Sequence, residues 1–213
     1  LKRMLLRPRW LMIIPVVGFI AYLSSNAIAL VGSEYPAADL TLLPDAFGVV
    51  TNQVNGWDAF FIAFGNLEYL VFGTLNLFLL CVSDAFPEGE FGNLTLFRFG
   101  SRRKWWIVKS LSLLLTGAMY LGLSMVIVLL CAMMRNGFDL NWSAFGAFGT
   151  TILLPSMMKT GYLPPAARAL QLFFLLLLGF WTLSMAMMIL TLRLGKPIWG
   201  YLAVIVLCAA TFP

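Results

Sequence analysis

The run FGNLEYLVFG, residues 64–73, places one carboxylate, Glu68, inside an apolar stretch, with Asn66 two positions before it and Tyr69 beside it. A carboxylate in such a stretch is costly to ionise unless it faces a bundle interior, meets a cation or carries a proton. The chemistry open to it is therefore that of a polar point on a translocation path or a subunit interface, or of ion coupling. A hydrogen-bonded structural role is the alternative, and the sequence leaves both open. Asn26, beside Ser24 and Ser25, is a second polar point within an apolar run. Ser112, Thr116 and Tyr120 recur on one helical face, where hydrogen bonding between helices accounts for them before substrate contact does. Met185, Met187 and Met188 read as packing residues.

Other chemistry is excluded by what the chain lacks. It has no histidine, which removes the commonest general base and metal ligand together. Its 3 cysteines, Cys81, Cys131 and Cys208, sit in apolar runs and form no CxxC pair. No GxxxxGK[ST], no GxGxxG and no acidic cluster fit to hold a metal is present. The chain is not expected to be an enzyme or to hold a cofactor of its own. If ATP and Mg are used, a partner chain binds them.

The elements that position these residues are set by composition. With 61% hydrophobic and 11% charged residues among 213, the chain lacks the polar side chains a soluble surface requires. The expected fold is an all-α polytopic transmembrane helix bundle in a single membrane domain. Apolar runs near 10–31, 58–83, 105–134 and 167–192 read as spans, and a fifth begins near 199. From Trp199 to Pro213 the helix would rise about 22 Å, short of a hydrocarbon core of roughly 30 Å, so a truncated fifth span with a sixth beyond it is expected. With no initiator methionine at Leu1 and an apolar segment still running at Pro213, residues are expected to be missing at both ends.

Lys and Arg are distributed unevenly between alternate connections. Lys2, Arg3, Arg7, Arg9, Arg98, Arg102, Arg103, Lys104, Lys109, Arg193 and Lys196 fall on one side, and only Arg135, Lys159 and Arg168 on the other. The larger set marks the inside, so the N-terminus is expected in the cytoplasm and segments 32–57 and 135–166 outside a cell membrane.

The inner stretch FRFGSRRKWWIVKS, 97–110, has two parts. Arg102, Arg103 and Lys104 followed by Trp105 and Trp106 are a basic and aromatic anchor at the lipid headgroups, where anionic lipid outcompetes nucleic acid. The anchor does not account for Phe86, Phe91, Leu94, Leu96, Phe97 and Phe99 just upstream, in a connection far longer than a turn between two spans requires. Apolar residues mixed with Arg98 between Pro87 and Gly100 suit a short amphipathic helix on the inner surface or in a protein groove.

A basic N-terminal segment, a sizeable outer loop, and an inner segment ending in R-x-x-S-R-x-x-W-W (Arg98, Ser101, Arg102, Trp105, Trp106) resemble small ABC-2-type permease subunits of Gram-positive bacteria. The resemblance implies that 84–104 is a coupling segment docking on an ATP-binding cassette subunit, with Phe86, Phe91, Phe97, Arg98, Ser101, Arg102 and Arg103 as contact residues. It also implies a second permease copy or paralogue, and export of a peptide, a lipid-like molecule or an antibiotic. A non-transporting accessory, immunity or assembly subunit of a membrane complex is the competing expectation.

Overall fold

The structure, a computed structural model, describes residues 8–34, 54–83, 101–143 and 163–210. Among them every regular element is helical. A 3-10 turn, Pro8–Met12, leads into α1, Ile13–Glu34. Then follow α2 (Gly56–Gly65), a π-helix (Tyr69–Leu75) running into α3 (Asn76–Ser83), α4 (Arg102–Asn136), α5 (Pro165–Leu194) and α6 (Pro197–Ala210).

Three helices, with candidate windows Trp10–Ala27, Arg103–Asn136 and Pro165–Leu194, are long and apolar enough to cross a membrane. They coincide with the expected first, third and fourth spans. The expected second span, 58–83, is not one helix. It is interrupted after Gly65, and only the two pieces together have the length and apolarity of a fourth span. The cause is local: Asn66 caps α2 with extended backbone at φ −74°, ψ 118°. Its side chain then accepts from the Glu68 N–H at 2.8 Å and the Tyr69 N–H at 3.3 Å, which starts a new helix. Helix α6 falls where the fifth span is expected to begin; it is apolar but shorter than the three spanning helices, its 14 residues rising about 21 Å.

The buried residues of α4 follow one stripe: Leu113, Thr116, Gly117, Tyr120, Leu121, Ser124, Met125, Val128 and Ala132. Spacings of three and four put them on the side that meets other helices. Ile107, Leu111, Leu115, Val126 and Leu130 lie exposed on the remaining surface, as do Phe174, Leu175 and Leu178 of α5. Apolar side chains exposed in such numbers suit contact with lipid rather than water.

The chain divides into two compact units. One takes its described residues from within Leu1–Ile13, Val71–Leu123 and Phe174–Pro213. Its centre is Tyr120, fully buried, whose ring lies 5.3 Å from Phe78, 6.4 Å from Phe180 and 6.3 Å from Trp10. The Tyr120 hydroxyl donates to the Thr74 carbonyl of the π-helix at 2.7 Å. Trp181 Nε1 donates to the Ser110 carbonyl at 3.2 Å, tying α5 to α4, and the Tyr201 hydroxyl donates to Asn76 Oδ1, tying α6 to α3. The turn between α5 and α6 is made by Gly195 at φ 75°, a left-handed conformation that favours glycine, and Pro197 opens α6.

The other unit takes its described residues from within Ile14–Leu70 and Ser124–Phe173. Val17, Ile20, Ala21, Ser24 and Ser25 form the buried stripe of α1, while α2 is buried on nearly every side. Helix α2 lies close against the end of α4: a Cβ added to Gly56 would lie 2.8 Å from Met133 Cγ and 3.0 Å from Met133 Cα. Ala59 of α2 and Ala132 of α4 meet in the core, flanked by Val54 and Ile62. Small residues at such a crossing let two backbones approach.

Candidate functional site

The anchor and the polar points can be placed one by one. Ser101 precedes α4 and caps it, its Oγ accepting from the Lys104 N–H at 3.3 Å and its carbonyl from the Trp105 N–H at the same distance. The pattern R-x-x-S-R-x-x-W-W therefore straddles a helix start. Arg102 opens the helix, Arg103 and Lys104 are exposed, and Trp105 and Trp106 occupy its first turns with ring centroids 5.5 Å apart. Lys109 Nζ stands 6.0 Å from the Trp105 ring centroid. Cations at a helix N-terminus oppose the macrodipole, and no acidic residue in the first turn offsets them. Phe86, Phe91, Phe97 and Arg98 lie outside the described residues, as does the rest of 84–100.

Glu68 follows the interruption between α2 and the π-helix, and Asn66, Leu67 and Glu68 are exposed in the single chain. Asn66 has a defined local task, closing one helix and opening the next. That does not exhaust Glu68, whose carboxylate stays accessible where the spanning pattern is broken. Discontinuous helices and π-helical turns recur where membrane proteins handle polar ligands.

Asn26 is paired. Its Oδ1 accepts from Arg135 Nη2, and the Arg135 guanidinium lies 4.9 Å from the Tyr22 ring centroid. Asn136 Nδ2 donates to Ser25 Oγ at 3.4 Å, a second polar tie between α1 and α4. Thr116 donates to the Ser112 carbonyl of its own helix at 2.7 Å, so within that polar row Tyr120 is the residue seen joining elements.

A further polar cluster, absent from the residues singled out by sequence, stands at the start of α2. The Asn55 N–H donates to Asp58 Oδ2 at 2.8 Å while Asn55 Oδ1 accepts from the Trp57 N–H at 3.0 Å, a capping box. Segment 138–143 closes over it. Asn55 Nδ2 donates to the Asn141 carbonyl at 2.8 Å, Trp57 Nε1 to the Asp139 carbonyl at 2.9 Å, and Ser143 Oγ to Asp58 Oδ2 at 2.6 Å. Asn55, Asp58 and Ser143 are all buried, and Trp142 stacks on Phe61 at 5.3 Å. The spacing of Asn55 and Asp58 ahead of an apolar run was a legible N-cap signal. Nothing in the sequence paired them with residues more than 80 positions away.

Among the described residues no group of three His, Cys, Asp or Glu is placed to hold a metal ion. Comparison of the chain with protein-family models, with curated proteins and with solved structures finds no match in any of the three.

Proposed function

We propose that the chain is a membrane-spanning permease subunit of an ATP-driven, ABC-type exporter that works with a separate ATP-binding chain. The observation that carries this reading is the helix start at Ser101. A basic and aromatic motif is held on the first turns of a membrane-length helix, directly after an aromatic segment too long for a turn. An element so placed suits a partner that pushes on the helix from the inner side.

In this reading the N-terminus is cytoplasmic and the chain is multi-pass in a bacterial cell membrane. It pairs with a second permease copy or paralogue, and lipid meets Trp105 and Trp106. Segment 84–104 receives the partner's motion, and Glu68, at the helix interruption, is the polar point of the path. Asn66 and Asn26 support the path by fixing the helix break and the α1–α4 contact. The cargo class is a peptide, a lipid-like molecule or an antibiotic.

Extraction of the chain with its native partners in mild detergent tests the proposal. A co-purifying ATP-hydrolysing chain is the expected result. Recovery of the intact chain with other membrane proteins but no ATPase overturns it in favour of an accessory, immunity or assembly subunit.

A further inference from the structure

Asp58 is 2% exposed, and both of its hydrogen bonds fall on one oxygen, Oδ2, which takes the Asn55 N–H at 2.8 Å and the Ser143 hydroxyl at 2.6 Å. Oδ1 is buried and has no hydrogen-bond partner among the described residues. Among the described residues of the elements around it, the charged groups give no counter-charge. Helix α2 carries no ionisable residue besides Asp58. On segment 137–143 the only one is Asp139, itself an acid, whose Oδ1 accepts from the Asn141 N–H at 3.1 Å. In the last turn of α4 it is Arg135, engaged by Asn26 and Tyr22.

An anion in this position has one oxygen sealed from water and from every described donor, which is among the costlier arrangements a protein can hold. The α2 N-terminus and two donors offset part of that cost. A neutral carboxyl fits without it. With the proton on Oδ2, the O–H donates to Ser143 Oγ across the same 2.6 Å, Oδ2 still accepts the Asn55 N–H, and Oδ1 is an uncharged carbonyl. An unpartnered carbonyl costs far less than an unpartnered charge.

We propose that Asp58 is a proton-operated latch, which in its protonated form holds segment 138–143 closed over the start of α2 and on losing the proton to water releases it. The step breaks one O–H bond and leaves the charge on the carboxylate. The carboxylate then gains water only if Ser143, Asn141 and Asp139 lift away from Asn55, Trp57 and Asp58. Because the closed form binds the proton and the open form gives it up, rising pH favours opening. The latch is independent of any transport role.

Hydrogen exchange of the backbone amides in 55–60 and 138–143, measured on the full chain in detergent micelles between pH 5 and 8 and corrected for intrinsic rates, tests it. Wild type is expected to open more as pH rises, with a slope of at most tenfold per unit, reached where the open form has lost the proton and the closed form still holds it, and levelling off once the closed form ionises too. Asp58→Asn is expected to remove the slope, and Asp139→Asn to keep it. Protection that is flat over the whole range, or that increases with pH, overturns the proposal. So does a slope that survives in Asp58→Asn. If Asp58→Asn does not fold, Asp139→Asn decides: a retained slope supports Asp58, and a lost slope assigns the proton to Asp139 and overturns the latch.

Discussion

The Ser143 hydroxyl and Asp58 Oδ2 lie 2.6 Å apart although 85 positions separate them in the chain. The bond joins the segment after α4 to the first turn of α2, and both partners are buried. Removing the hydroxyl by Ser143→Ala leaves the Asp58 carboxyl group with the Asn55 N–H as its one remaining hydrogen-bond partner among the described residues, and loss of a buried partner of this kind costs about 1–3 kcal/mol. Thermal unfolding in detergent should show the lowered stability. Loss of the exchange protection of 138–143, ahead of the rest of the protein, would locate it.

Gly56 sets how closely α2 approaches α4. A methyl group there meets Met133 Cγ at 2.8 Å and the Met133 backbone at 3.0 Å. The side chain can turn aside but the backbone cannot, so Gly56→Ala should cost about 1–3 kcal/mol through overpacking. Gly122→Ala meets nothing within 4 Å and serves as the matched control. Equal melting temperatures for the two variants would refute the close approach.

Gly200 plays the same part between α6 and α5. A Cβ there would lie 2.9 Å from Thr191 N and 3.0 Å from the Met187 carbonyl, both backbone atoms. Gly200→Ala should push α6 away and weaken the bond from Tyr201 to Asn76. The expected signature is faster proteolysis within 193–199, with the α4 region unaffected.

For the inner stretch, Arg102→Glu combined with Arg103→Glu separates docking from insertion. Under the proposed function the double variant inserts normally and loses at least tenfold in association with the ATP-binding chain, read by quantitative co-purification. Inverted or failed insertion, read by the accessibility of a tagged N-terminus, would instead make the pair a topology signal alone.

The sequence by itself determined the class of element. An excess of apolar residues and their unbroken runs leave no route to a water-soluble surface, and α1, α4 and α5 fall on three of the expected runs for that reason. Caps act over three or four residues, so those at Ser101 and at Asn55 with Asp58 are local to the sequence, although only the structure shows them formed. Tertiary structure decided everything that depends on distant partners. Hydropathy averages over a window, so the interruption after Gly65 disappears into one run, yet Asn66 ends one helix there and begins another. Asn26, indistinguishable in sequence from a residue on a path, is held by Arg135 of α4. Asp58 reads as the first residue of a span and becomes a buried acid only when 138–143 folds over it. Periodicity reports which face of a helix is apolar, but it does not report which helix, or which loop, will cover that face.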